Sequence, residues 1–376
     1  MRVCATTSTV CYAKFRDLTA NLAYRSEAIM EREEVIKLIK SARSQGVIPD
    51  LSHADLDSAD LSQMDLRGAN LTRANLTRAN LTRANLLRTN LVGANLSHAN
   101  LLRARLHGAV LAEANLSHAN LAGARLETAD LRQANLNQAN LRQANLCSTR
   151  LNEATLKETD LQGSDLSQAN LSQANLSQAN LPSTRLIGTD FSQANLQDAN
   201  LNKADLTEAR LSGANLNAAN LREANLRLAD LTKTDLSKTF LWAANFTETV
   251  LVEANLQGVN LRNARLLEAN LSQASLQKSQ LVGSDLSGAN LSSANLKEAD
   301  LSEANLSGAN LTEANLQEAK ITQAQLNNAR SLSGAALPDG TRLAVDPASA
   351  DKPGSKRKPD VNRLAEAAAR LRKKPK

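Results

Sequence analysis

Aromatic residues are almost missing from this chain: four Phe, two Tyr and one Trp, 2% of 376 residues. Aromatic side chains normally dominate core energetics. The length, enough for two or three ordinary domains, therefore does not imply ordinary cores here. Long apolar runs are lacking as well. A charged or amide residue interrupts every few positions, so no stretch reads as a bilayer-spanning helix. The N-terminal MRVCATTSTVCYAKF has no continuous apolar h-region of a secretory signal. Cysteine is limited to Cys4, Cys11 and Cys147, too few and too scattered for a disulfide framework or a thiolate metal cage. Free thiols in a reducing compartment are the simplest reading, and a soluble cytoplasmic protein is the expectation.

Catalytic groupings are missing too. The sequence offers no Ser-His-Asp set, no Gly-rich phosphate loop and no carboxylate pair in a cleft. Of its four histidines, His98 and His118 lie twenty residues apart while His53 and His107 lie elsewhere. Two imidazoles without a third ligand do not make a metal site. No enzymatic activity, cofactor, metal or small-molecule substrate is expected.

What the chain has instead is a period. From Leu51 to Leu326 every fifth residue is Leu, Phe or Ile, 56 words in one phase. The exceptions to Leu are Phe191, Phe246 and Ile321, and two residues before each stands Ala in 42 cases and Thr or Ser in 11. Five residues advance about 500° on an α-helix, so the Leu would spiral and form no stripe. On a continuous strand an odd period would send successive Leu to opposite faces. The chain must therefore turn a corner within every word and coil round an axis, with Leu and Ala inside and the other three residues outside. Thr149, Thr159, Thr184 and Thr189 fit the small inner site if their hydroxyls bond nearby backbone. The Asn residues preceding Leu can form side-chain ladders between coils.

The words A-N-L-S-Q, A-N-L-T-R and A-D-L-S-G resemble the pentapeptide-repeat family, whose motif is A-(D/N)-L-x-x. The resemblance covers residues 49 to about 330. It implies an all-β solenoid, a right-handed quadrilateral β-helix with four words per coil and about 14 coils; at about 4.8 Å per coil the rod would be roughly 67 Å long. The best-known activity of such proteins is protection or inhibition of DNA gyrase by mimicry of duplex DNA, through a strongly acidic surface and, in longer members, projecting loops. Here the register never breaks between Leu51 and Leu326, and residues 51–350 carry 26 basic against 29 acidic residues. A non-catalytic scaffold presenting a long flat surface to a protein partner is the primary expectation. The gyrase-directed mimic is the alternative, and attachment to nucleic acid or an anionic membrane through the C-terminal tail is a second one.

Around the repeat, residues 1–25 have no readable role. Residues 26–48 read as a helical cap with Ser26 as N-cap and Val35, Leu38, Ile39 and Ala42 on one face. The period fails after Leu326, and LPDG at 337–340 reads as the turn that closes the β-helix of residues 49–340. Residues 341–360 read as a flexible linker and 361–376 as a short basic helix or tail. Lys356, Arg357, Lys358, Arg370, Arg372, Lys373 and Lys374 are its candidate contacts for nucleic acid or an anionic membrane. On the rod, seven Arg and no acidic residue lie between 67 and 107, whereas 247–320 holds nine acidic and five basic residues. Arg73, Arg78, Arg83 and Arg88 fall one per face, an expected belt for an anionic partner. Phe240 and Trp242 flank Leu241 and point outward. Arg222 and Arg262, one coil to either side of Trp242, are expected to sandwich its indole. This patch, with Val250 and Val252 facing out beside it, is the candidate anchor for a partner protein or a homodimer.

Overall fold

The computed structural model describes residues 30–345. Ser26, residues 1–25, the linker from residue 346 onward and the tail cations from Lys356 to Lys374 lie outside the described residues.

Within each word three residues run extended and two make the corner. Leu51 N–H donates to Asn70 O at 2.7 Å, His53 N–H to Thr72 O at 2.9 Å, and Asn70 N–H to Pro49 O at 2.9 Å. The same parallel pairing joins each residue before a Leu to its counterpart twenty residues on, from Asp50↔Asn70 to Asp300↔Lys320. With a turn every five residues and pairing every twenty, each coil has four sides. Each turn closes through a bond such as Ala54 N–H to Leu51 O, 3.2 Å, and its third residue sits at positive φ, near 57° for Arg78 and 59° for His98. Left-handed backbone costs a non-Gly residue about 1–2 kcal/mol. Most corners are nonetheless Arg, Gln, Glu, Lys or Ser, because the corner N–H is held in the inter-coil ladder.

The Leu and Phe residues at every fifth position from Leu51 to Leu301 are at most 1% exposed, each contributing about 1.5–3 kcal/mol by burial. The buried Thr hydroxyls bond backbone as expected: Thr149 to Leu146 O at 2.7 Å, Thr159 to Leu136 O at 2.8 Å, Thr184 to Leu161 O at 3.1 Å and Thr189 to Leu166 O at 2.9 Å. The Asn residues form ladders, as in Asn135 Nδ2 to Asn115 Oδ1 at 3.2 Å. They also do something the repeat alone did not reveal. Nearly every Oδ1 also accepts the N–H two residues on, for example Asn137 N–H to Asn135 Oδ1 at 3.1 Å, which pins the corner locally.

The first coil ends in carbonyls aimed away from the rod, and the cap is built to receive them. Helix α1 (Arg32–Ser44) lies within the cap expected over residues 26–48, and its N-cap is Glu31. Val35 and Ile39 are buried against the first coil, with Leu38 half-buried beside them. Met30 N–H donates to Asp55 O at 2.8 Å. Arg32 donates to Asp60 O at 2.7 Å and Ser62 O at 3.1 Å, and Arg43 donates to Asp65 O at 3.0 Å and Oδ2 at 2.9 Å. Arginine suits this edge because its fork satisfies two acceptors at once.

At the other end the expected stop at Leu326 is a one-residue phase slip. Helix α2 (Gln323–Asn328) replaces one side of a coil and is closed by a Thr322–Gln325 capping box. The Gln325 amide donates to Leu301 O at 2.7 Å and Ala304 O at 2.9 Å, replacing the missing ladder bonds. The repeat then resumes with spacing 21, Asn310↔Ser331 and Asn315↔Ala336. LPDG does reverse the chain, through Leu337 N–H to Thr341 O at 2.8 Å. Residues 341–345, expected as linker, instead lie antiparallel on the last word through Ala336↔Arg342. Among the described residues no helix is long and apolar enough to cross a membrane.

The Asp65 carboxyl is held well below the usual carboxylate range by the Arg67 guanidinium, against the opposing effect of burial and with further help from Arg43. Because the folded value is depressed, this stabilisation is complete above the ordinary carboxylate range near 4. It is lost as pH falls through the lower folded value. Arg43→Ala is expected to cost about 1–2 kcal/mol and to shrink that acid-dependent component. Thermal melts from pH 7 to pH 2, with amide exchange at Val35 and Ile39 reporting cap release, check both.

Candidate interaction surfaces

The expected arginine belt is not a closed ring. All four members are exposed corner residues. Arg78, however, reaches back to Asp57, Nη2 to Oδ2 at 2.5 Å. This bond lowers the Asp57 pKa and raises that of Arg78. The other three lack an ion pair among the described residues, and two of them lean the opposite way: the Cγ of Arg73 lies 3.4 Å from where a Cβ on Gly93 would sit, and that of Arg88 3.6 Å from the same point on Gly108. Arg103 packs likewise on Gly123 at 3.3 Å. Arg83 and Arg103 stack on one corner, with Arg105 two residues on and Arg105↔Arg125 paired in the ladder. Arg125 is neutralised by Glu127 at 3.1 Å, so the unpaired cations of the first coils on one side of the rod, among the described residues, are Arg83, Arg88, Arg103 and Arg105.

The second surface arises where Phe240 replaces Asn in a ladder that runs Asn180, Asn200, Asn220 through bonds of 3.0 and 3.1 Å. Phenylalanine can neither donate to Asn220 Oδ1 nor accept the N–H of Trp242. The parallel pairing Phe240↔Asn260 persists, but the ladder is loosened around it. Among the described residues, the N–H groups of Lys238, Leu241 and Asn260 do not reach the hydrogen-bond geometry of their counterparts in other coils, and Ala243 N–H to Arg262 O stretches to 3.3 Å. Arg222, Phe240, Leu241, Trp242 and Asn260 line a cleft of about 250 Å³ there. Phe240 and Trp242 are 47% and 45% exposed, the two exposed aromatics of the described rod.

The expected sandwich of Trp242 between Arg222 and Arg262 is not formed. The Arg222 guanidinium lies 4.8 Å from the Phe240 ring centroid instead, because Phe240 occupies the place of the Asn side chain beside it. Arg262 makes no ring contact among the described residues, and no guanidinium stacks on the indole. Val250 and Val252 are half-buried, not fully outward.

Other chemistry-bearing groups are occupied structurally. His98 and His118 stack with centroids 4.6 Å apart and 2° between planes. The Cys147 thiol is pushed up to about 11 by burial and by the Asp165 carboxylate that accepts a hydrogen bond from its S–H, so it is no nucleophile at neutral pH. Glu127 was missed by sequence reasoning. Its Oε1 accepts from Arg125 and Asn145, while its buried Oε2 has no hydrogen-bond partner and lies 3.9 Å from His107 Nδ1. Among the described residues no three His, Cys, Asp or Glu gather to hold a metal.

Comparison with known proteins agrees with this geometry. The family described as "Pentapeptide repeats (8 copies)" matches in overlapping segments from residue 50 to 263, and "Pentapeptide repeat region" matches 254–330. Among solved structures, HetL from the cyanobacterium Nostoc sp. strain PCC 7120, a pentapeptide repeat protein involved in heterocyst differentiation regulation, is 38% identical. The match covers 61% of this chain and 91% of HetL, with a TM-score of 0.35. QnrB1, a plasmid-mediated fluoroquinolone resistance protein, is 20% identical over 52% of this chain and 89% of its own, with a TM-score of 0.24. Rfr23 from the cyanobacterium Cyanothece 51142 is 29% identical over 32% and 58%, with a TM-score of 0.15. No curated protein matches the chain.

Restoring the ladder tests the origin of the cleft. Phe240→Asn returns both an acceptor for Trp242 N–H and a donor for Asn220 Oδ1. Amide exchange at Lys238, Leu241 and Asn260 is expected to slow by roughly three- to tenfold, the scale of one hydrogen bond. Hydrogen-exchange NMR or mass spectrometry of variant against parent makes the measurement.

Proposed function

As the chain belongs to the pentapeptide-repeat family, we propose that it is a non-catalytic, cytoplasmic scaffold whose rod binds a partner protein at the wall formed by Phe240, Trp242 and Arg222. The observation that carries this reading is the pairing of two exposed aromatics with an ordered guanidinium on an otherwise polar surface. Tryptophan, tyrosine and arginine are the residues that dominate binding energy at protein interfaces. The rod is a rigid mount, since every coil is bonded to the next and a bound partner finds the anchor already in place. The filled interior leaves the reactive side chains structurally engaged, which supports a binding role over catalysis.

A second contact is favoured by the unpaired Arg83, Arg88, Arg103 and Arg105. Their planar forks match phosphate or carboxylate geometry, and they support attachment to an anionic partner independently of the tail. The same cations weigh against DNA mimicry, which needs an acidic surface. Replacing Arg83 and Arg103 together by Ser is expected to lower the salt concentration that elutes the protein from heparin; an unchanged elution point removes this second contact.

The scaffold reading is tested by affinity capture with the full chain, with Trp242→Ala and with Phe240→Ala, circular dichroism confirming that each variant folds. Proteins retained by the parent are expected to fall at least tenfold with Trp242→Ala, in line with a hot-spot loss of about 2 kcal/mol or more. An identical set on all three baits refutes the anchor.

A further inference from the structure

The wall at Phe240 carries more information than its hydrophobicity, because every cation around it is uncommitted. Arg222, Lys238 and Arg262 are exposed and none has an ion pair among the described residues. Glu223, the acidic residue next to Arg222, is engaged by Lys203 at 3.6 Å. Arg222 is held over the Phe240 ring at 4.8 Å, a stacking that leaves its charge without an anionic partner. Arg222 lines the cleft together with Trp242, and Lys238 and Arg262 are corner residues of the same and the next coil.

Three occupants can be set aside on these observations. The chain's own ends are of the wrong sign: residues 1–29 hold four basic and two acidic residues, and 346–376 hold ten and four. A second copy docking across a two-fold axis at Trp242 would bring Arg222 against Arg262, a like-charge contact that opposes association. A single-stranded nucleic acid needs successive aromatic faces for successive bases. Here Arg222 already covers the Phe240 ring, so Trp242 is the one exposed ring left open.

We propose that the wall is the docking site for an acidic segment of a partner protein, which seats an apolar side chain in the cleft beside Trp242 and gives its carboxylates to Arg222, Lys238 and Arg262. This rests on the scaffold reading and adds the partner's chemistry to it. The cleft exists because Phe240 displaced an Asn, so the loosened ladder and the recognition surface have one cause. Charge supplies orientation and encounter rate, and the apolar side chain supplies residence.

Trp242 is the only tryptophan of the chain, so its emission reports on this site alone. The full chain is titrated with synthetic peptides of about twelve residues in which a central Leu is flanked by Glu, by Gln or by Lys, and with an oligothymidylate of similar length. The Glu peptide is expected to shift Trp242 emission to the blue and to half-saturate at least tenfold below the Gln peptide. Raising salt from about 50 to 500 mM should erase most of that difference. Arg222→Gln combined with Arg262→Gln should abolish the preference while leaving the far-ultraviolet dichroism unchanged. Equal, salt-insensitive responses to the Glu and Gln peptides overturn the acidic partner and leave the scaffold standing. A preference for the oligothymidylate assigns the wall to nucleic acid and also overturns the proposal. Silence of Trp242 toward every probe overturns it too, and when joined to capture that ignores Trp242→Ala it sinks the scaffold reading as well.

Discussion

One hydrogen bond governs this molecule: the N–H of the inward Leu or Phe of almost every word donating to the carbonyl nineteen residues further on, as Leu51 does to Asn70 at 2.7 Å. It can form only if the chain turns four times in twenty residues. It therefore forces left-handed backbone onto corner residues such as Arg73 and Arg83 that would otherwise avoid it. Once the corners are set, the five positions of the word have separate duties. Two fill the interior, one ladders through its amide, and two are free to carry whatever the surface requires. Function on such a rod is written in the positions the fold leaves unconstrained, and in the rare word that breaks an internal rule.

Phe240 is such a word. In the amide column its neighbours satisfy each other and pin their own corners, so replacing one Asn removes a cross-coil bond and a local bond together. The loss is absorbed as a slightly opened seam between two coils. Local inconsistency at one seam, with the surrounding coils over-determining the fold, is the pattern expected where a sequence departs from its own design rules. The two ends show the same logic: Arg32 and Arg43 close the carbonyl edge at one, and the Gln325 amide imitates a backbone N–H at the other.

The coiling, the inner columns, the buried Thr bonds and the stacking of His98 on His118 were legible in the sequence, because a strict period turns residue number into position. The period does not say which way a long side chain leans. Arg73 extends toward the next coil, where Gly93 leaves room, whereas Arg78 turns back to Asp57; both read identically as members of a belt. Arg222 lay equally within reach of Phe240 and Trp242, and the ring filling the vacated Asn site won. The phase slip near Ile321 was seen as an ending because one inserted residue moves Leu332 and Leu337 out of the column, although α2 absorbs it and the pairing resumes.

Four corners per coil also make this protein's surface a matter of modular arithmetic. Inserting or deleting four words lengthens or shortens the rod and leaves every face where it was. Inserting one word rotates everything beyond it by a quarter turn. Twenty-seven words separate Arg105 from Phe240, so the arginine side and the aromatic wall look out three quarter-turns apart. Identical words stand in tandem between the two surfaces, as LSQAN does three times over residues 166–180, and slippage during copying adds or removes units most easily there. The angle between the two surfaces is thus a heritable variable that changes in right-angle steps, without altering a single contacting residue.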